Sequence, residues 1–223
     1  MLQQRLNGVR DRIRRACERA GRDPSSVTLV GVTKGIPSSR IAEAIAAGVT
    51  DLGENRVQEA RQKQAELASA GIRWHLIGHL QRNKAQEAVE LFQLIHSVDA
   101  QPLAESLERH AASRSRRLDV LVQVNVSGEA SKSGCRAEDA AQLAAAIARC
   151  PHLTVKGLMT IAPLAADPQA ARPVFRALRE LRERIGQPGW LLSMGMSQDF
   201  EVAVEEGANL VRVGTALFGE RTP

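Results

Sequence analysis

Leu118-Asp-Val-Leu-Val-Gln-Val-Asn125 is the strongest strand signal in the chain, and an amphipathic run from about Ala137 to Arg149 follows it. The same pairing, a short β-branched run and then a longer amphipathic one, recurs on both sides of it. Toward the N-terminus, Thr28-Leu-Val-Gly-Val-Thr33 precedes a helix over Ser39–Ala47 stopped by Gly48. Asp51-Leu-Gly53 precedes a helix over Arg56–Ala70 ended by Gly71, and Trp74-His-Leu-Ile77 precedes one over Gln81–Leu91. Leu94-Ile-His-Ser97 precedes a helix opened by Pro102. Toward the C-terminus, Val155–Met159 leads to a helix over Arg172–Ile185, Leu191–Ser193 to one over Phe200–Glu206, and Leu210–Val213 closes the series. A further helix before the first strand ends near Gly21. Roughly eight strands with nearly as many following helices predict an α/β fold, a single (β/α)8 TIM-type barrel with an extra N-terminal helix. No linker divides the chain, so residues 1–223 read as one domain. No G-x-G-x-x-G follows the first strand, which argues against a doubly wound dinucleotide-binding sheet.

The composition fits that reading and excludes others. The 223 residues are 43% hydrophobic and 25% charged, ordinary for a soluble globular chain that needs no covalent staples. Cys17, Cys135 and Cys150 have no metal-type spacing, and Met1–Gly21 is arginine-rich with no apolar run, unlike a signal peptide. No apolar stretch approaches the roughly 18 residues of a membrane span. A disulfide scaffold, a zinc finger and a membrane protein are therefore poor readings, and a reducing cytoplasm is the expected location. The net charge of +5 and the cluster Arg5, Arg10, Arg12, Arg14, Arg15, Arg19 and Arg22, with Arg114, Arg116 and Arg117, raise the question of nucleic acid. Single-strand binders add aromatic stacking platforms, whereas aromatics are 3% here with no Tyr. The expectation is a solvated basic surface and no nucleic-acid partner.

Chemistry in such barrels sits where the strands end. Those positions are Lys34, Asn55, His79, Asn125, Met159, Ser193, Ser197, Arg212, Gly214 and Thr215. The set holds no carboxylate pair for glycoside hydrolysis and no His/Asp cluster for a metal. Among Lys34, Lys63, Lys84, Lys132 and Lys156, only Lys34 terminates an apolar strand; Lys63 lies within a polar helix. Position alone leaves two readings of Lys34 open: a desolvated nucleophile toward aldehydes, or a rim lysine snorkelling into water. The last strand favours the first. Gly214 and Thr215 stand at a strand-to-helix junction, where these barrels bind phosphate through backbone N–H groups. Ser193-Met-Gly-Met-Ser197 supplies a second glycine-containing hydroxyl loop beside it. An amine facing two such loops suggests a phosphorylated aldehyde, of which pyridoxal 5′-phosphate (PLP) is the obvious one.

These residues also carry a family resemblance. Val30-Gly-Val-Thr-Lys34, Gly53-Glu-Asn-Arg-Val-Gln58, Trp74-His-Leu-Ile-Gly-His-Leu-Gln-Arg-Asn-Lys84, Gln123-Val-Asn-Val126 and Ser131-Lys-Ser-Gly134 resemble motifs of the pyridoxal phosphate homeostasis proteins. So do Gly157-Leu-Met159, Ser193-Met-Gly-Met-Ser197 and Val211-Arg-Val-Gly-Thr-Ala-Leu-Phe-Gly219. The motifs span nearly the whole chain, in order. The family is similar to the barrel half of alanine racemase without its β-rich second domain. The resemblance implies PLP held covalently by Lys34 as a Schiff base. It further implies Ser197, Gly214 and Thr215 on the phosphate, Arg212 at the pyridine nitrogen, Asn55 at the ring or its hydroxyl, His79 near the cofactor face, and Met194 packing the pocket. His75 and His79 are more than about 10 Å apart on a strand, too far for a metal pair, and His75 reads as a core or hydrogen-bonded histidine. The Ser131–Gly134 loop has no Walker spacing and reads as a lid or surface loop.

The implied function is a PLP carrier or reservoir in vitamin B6 homeostasis that affects amino-acid balance, with PLP and PLP-dependent apoenzymes as partners and a monomeric state. Its alternative is a small PLP-dependent amino-acid racemase or lyase. A guanidinium at the pyridine nitrogen only donates, and racemases of this architecture compensate with a second base, a Tyr. This chain has none, which favours the carrier without catalysis of its own.

Overall fold

The computed structural model describes residues 1–67, 71–129 and 132–220. Helix α1 (Leu2–Arg19) comes first. Then follow β1 (Thr28–Val32), α2 (Ser38–Ala46), β2 (Asp51–Glu54), α3 (Val57–Leu67), β3 (Arg73–Leu76), α4 (Ala85–Leu91), β4 (Leu94–Val98), α5 (Gln101–Ala112) and β5 (Leu118–Asn125). The chain ends through β6 (Cys135–Arg136), α6 (Ala140–Ala148), β7 (Leu153–Met159), α7 (Arg172–Ile185), β8 (Leu191–Ser193), α8 (Phe200–Glu205), β9 (Leu210–Val213) and α9 (Thr215–Phe218). Strand order β4-β3-β2-β1-β9-β8-β7-β5, closed by pairing of β4 with β5, makes a parallel eight-stranded barrel, and the two-residue β6 is appended to β5. The fold is the TIM-type barrel with an N-terminal helix that the strand–helix alternation predicts.

Differences from the sequence reading are local. The expected helix over Gln81–Leu91 divides into a 3-10 turn at Arg82–Lys84 and α4, and β6 had no β-branched run to announce it. The expected end of α3 at Ala70, Ser131 of the 131–134 loop and residues 221–223 of the domain expected over 1–223 lie outside the described residues.

Apolar side chains divide into two clusters. The large one fills the shell between barrel and helices, while Val30, Leu94, Leu121, Met159 and Leu210 form a small second one. Helix α1 buries Leu2, Leu6, Val9, Ile13, Ala16 and Cys17, one stripe at helical spacing, against α8 and α9. Several arginines of the basic clusters are held by neighbouring elements, while Arg14 pairs with Asp11 and Glu18 within α1 itself. Arg12 reaches Glu201 at 2.8 Å and lies over the Phe200 ring, and Arg19 reaches Glu205 at 2.7 Å. Arg10 donates to Gly48 O, Arg22 to Val204 O and Ala208 O, and Arg116 to the carbonyls of Val89, Glu90 and Phe92. Much of the basic cluster that raises the question of nucleic acid is thus engaged in fastening helices.

One glycine decides a strand junction. The register of β5 against β7 slips between Val120 and Leu121, so Lys156 is an extra residue and Gly157 sits at a bulge with φ +145°. A Cβ there would stand 1.9 Å from Leu191 O, in the backbone of β8. Gly157→Ala is expected to cost at least about 3 kcal/mol, because backbone must move. Gly8→Ala, on the exposed face of α1 with open space around it, should stabilise by about 0.5–1 kcal/mol. Urea midpoints of the two variants check both; equal midpoints would contradict the bulge geometry.

Candidate functional site

The C-terminal ends of the strands surround a cavity of about 700 Å³ lined by Lys34, Asn55, Ser197, Arg212, Gly214 and Thr215, among others. Six of the eight residues expected from sequence therefore border one space. The other two do not. Met194 is fully buried in the apolar shell, and it is Met196 that lines the cavity. In the sharp turn after β8, position 194 faces the shell and position 196 faces the mouth. His79 is half-exposed, 3.7 Å from Asp99, and borders a neighbouring cavity of about 270 Å³ with Asn55 and Lys132.

Lys34 projects from the end of β1, half-buried. Lys63, Lys84, Lys132 and Lys156 each have a carboxylate within 4 Å. Lys34 alone has none and makes no hydrogen bond among the described residues, so its amine is uncommitted. The backbone on either side of it is held instead. Lys63 Nζ donates to Thr33 O at 2.5 Å, to Glu54 Oε1 at 2.7 Å and to Glu59 Oε1 at 2.6 Å. Thr33 Oγ1 donates to Glu54 Oε1, and Gly35 N to Glu59 Oε1 at 2.6 Å. Thr33 and Glu54 are wholly buried and Lys63 nearly so, although the helix that carries Lys63 is polar along most of its length, as expected. Burial pushes the Glu54 carboxyl up against the opposing pull of Lys63 and Thr33. Lys63 is three residues past the buried Ala60, on the inward face of α3.

Across the mouth, Ser197 Oγ accepts from the backbone N–H of Gly214 and Ala216, both at 3.2 Å. The loop carrying Ser197 is built to be there. Gly195 has φ +91°, and a Cβ on it would stand 2.5 Å from Ala203 Cβ, so the loop lies flat on α8. Asp199 Oδ1 takes Met196 N–H at 2.6 Å. Arg212 is 3% exposed, and its Nη1 and Nη2 donate to Ser193 Oγ at 2.6 Å and Thr160 O at 2.8 Å. Desolvation lowers its pKa to about 10, partly offset by Asp199, so it stays cationic near neutral pH. An uncommitted amine, a buried guanidinium and converging amide and hydroxyl donors form an anion-accepting set with a nucleophile at its edge. That set fits a phosphorylated aldehyde.

Sequence reasoning did not single out His96. It is wholly buried in β4, with Nδ1 2.8 Å from Ser193 Oγ and Nε2 2.9 Å from His75 Nδ1. His75 is buried and hydrogen-bonded, as expected. A histidine inside the otherwise apolar Leu94–Val98 strand was the available sign.

The family model described as alanine racemase, N-terminal domain, matches residues 5–222. The pyridoxal phosphate homeostasis protein of Pseudomonas aeruginosa is 48% identical over 213 residues, covering 96% of this chain and 93% of its own. That of Aquifex aeolicus is 44% identical, covering 98% and 97%. A solved structure of PipY from Synechococcus elongatus with PLP bound superposes with a TM-score of 0.82 at 38% identity, covering 98% of this chain and 100% of PipY.

Burial, then His75 and Arg212, hold the His96 pKa well below the ordinary histidine value. Its unfolded form titrates near pH 6.5, so the stability from keeping it neutral is complete above about pH 6.5 and is lost as pH falls toward the folded value. Urea midpoints should therefore begin to drop below about pH 6.5, ahead of the carboxylate range. His96→Gln should remove that early limb, and an unchanged profile in the variant would reject the assignment.

Proposed function

The chain belongs to the family of pyridoxal phosphate homeostasis proteins, and from that premise we propose that it binds PLP as a Schiff base on Lys34 and serves as an intracellular carrier or reservoir of the cofactor. The observation that carries this reading is the uncommitted amine of Lys34 opposite the N–H groups of Gly214 and Ala216, which gather on the Ser197 hydroxyl. PipY, similar over its full length, is a protein solved with PLP bound. In the proposed arrangement the Ser197 hydroxyl rotates off the N–H groups of Gly214 and Ala216, and all three donate to the phosphate, with the Thr215 hydroxyl at its edge. Asn55 faces the ring. His79 and Met194, given where they lie, are left out of the contact set.

Arg212 would donate to the pyridine nitrogen. A guanidinium has no lone pair to offer, so that nitrogen remains an acceptor. Bound PLP supplies an electron sink for carbanions at an amino-acid α-carbon, strongest when its ring nitrogen is protonated. Arg212 works against that state, and the chain has no Tyr to act as a second base. The site therefore holds PLP and is poorly equipped to turn amino acids over. All three cysteines are free thiols, and no helix among the described residues is long and apolar enough to cross a membrane. A reducing cytoplasm, a monomeric state and delivery to PLP-dependent apoenzymes complete the proposal.

Borohydride reduction of the PLP-loaded protein followed by peptide mass spectrometry tests it. The adduct should lie on Lys34, and Lys34→Ala should lose the imine absorbance while keeping its fold. A reducible adduct on another lysine in that variant would refute the assignment. Pyridoxal, which lacks the phosphate, should bind at least about tenfold more weakly than PLP, the loss of one or more charge-assisted hydrogen bonds. Equal affinities in a titration would mean that the last two loops do not cradle phosphate.

A further inference from the structure

Arg212 is the first member of a row of five polar side chains that runs through the inside of the barrel. Beyond its contact with Ser193, the Ser193 Oγ meets His96 Nδ1 at 2.8 Å, His96 Nε2 meets His75 Nδ1 at 2.9 Å, and His75 Nε2 meets Asp51 Oδ1 at 3.0 Å. β9, β8, β4, β3 and β2 each contribute one residue, and none is more than 3% exposed. The two ends open on opposite faces. Arg212 borders the cavity at the strand C-termini, whereas Asp51 borders another, of about 380 Å³, among the first residues of β1, β2 and β3. There Arg73 reaches Asp51 Oδ1 at 2.7 Å, and Thr50 Oγ1 donates to Oδ2 at 2.8 Å.

The ends dictate the direction of every bond between them. Arg212 can only donate, so Ser193 Oγ accepts from it and has its own proton to give. The acceptor in reach is His96 Nδ1, which places the His96 proton on Nε2. His75 Nδ1 must then accept, which places the His75 proton on Nε2, aimed at Asp51. Asp51 can accept because it is ionised: burial opposes its charge, but the bonds from His75 and Thr50 outweigh burial and hold its carboxyl below the usual range. The reverse direction fails on two counts. A neutral His75 would turn a lone pair to the carboxylate, and the buried Ser193 hydroxyl would lose its acceptor.

We propose that Ser193, His96, His75 and Asp51 are positioning residues, a one-way hydrogen-bond chain across the barrel that fixes the Arg212 guanidinium and tunes how strongly it donates at the mouth. The link to the cofactor rests on the reading of Arg212 as partner of the pyridine nitrogen. The chain itself does not, since every bond in it joins two of the protein's own side chains. Each bond in it polarises the next, so the Asp51 charge is felt at Arg212 without contact between them.

Nitrogen NMR of the ligand-free, full-length protein labelled at histidine tests the direction. His75 and His96 should both be neutral with the proton on Nε2; a proton on Nδ1 of His96, or a doubly protonated His75, would overturn it. The visible band of the PLP-loaded protein tests the reach. Asp51→Asn, which removes the charge at the far end and touches nothing at the mouth, should keep PLP bound and shift that band. A purely structural role would lower the melting temperature and leave the band in place. Should Asp51→Asn not fold, Ser193→Ala cuts the same chain next to Arg212 and should shift the band likewise. An unmoved band in a folded, PLP-loaded variant refutes the coupling. A parent protein with no PLP band at all refutes the proposed function instead, and the tautomers still decide the chain.

Discussion

A guanidinium offers donors and accepts nothing, so burying Arg212 inside a barrel obliges the fold to bring acceptors to it. The acceptors are a carbonyl freed just past the end of β7, Thr160 O, and a hydroxyl at the end of β8, Ser193 Oγ. Both are secured in turn. Thr160 N–H donates to Ser193 O, Thr160 Oγ1 donates to Val124 O, and the Arg212 backbone N–H donates to Gly195 O. One cation thereby ties together the ends of β5, β7, β8 and β9, from which the mouth of the cavity is made. Asp199, at the start of α8, is the carboxylate whose charge eases the guanidinium's burial, and it also anchors the turn that carries Ser197.

This polar interior explains why the apolar clusters are so unequal. Most apolar burial lies outside the barrel wall, where helices cover it, and the second cluster is small. Apolar burial scales with area removed from water, so the outer shell carries the fold. The inside is left to groups that a well-packed barrel of branched residues would exclude. Their cost is contained because the polar side chains along Arg212, Ser193, His96, His75 and Asp51 all find partners. On the α3 side of the mouth the same logic holds less completely, since one oxygen of Glu54 is buried without a partner while the other binds Lys63 and Thr33.

The strand–helix alternation was legible because each β-branched run and each amphipathic run carries its own period, and Gly or Pro separates them. Lys34 was legible for the same reason: an amine at the end of Thr28–Val32 can only stand at the rim. The interior pairs were not. Whether His75 meets His96 depends on the register of β3 against β4, where His75 pairs with Leu94 and Leu76 with Ile95, and register is not written in either strand alone. Met194 and Met196 differ only in which way a turn with a left-handed glycine sends them, and His79 lies past the last residue of β3, where the period-two rule no longer holds. The two-residue β6 has too few side chains to show any period. Lys63 was obscured by its neighbours, since α3 is polar along most of its length and a single buried ammonium does not alter that pattern.

The closure of the barrel has a consequence for the order in which the chain can assemble. Strand β1 pairs with β9, and α1 covers α8 and α9, so segments synthesised far apart in time dock on one another. During translation, Leu2, Leu6, Val9 and Ile13 have their native cover missing until α8 and α9 have been made. Contacts of such long sequence separation are slow to form and leave apolar surface open to chance encounters. The arginines between those apolar positions give the waiting helix a charge that discourages association with other nascent chains. The same residues that later clasp Glu201 and Glu205 thus keep the helix soluble while its partners are still unmade.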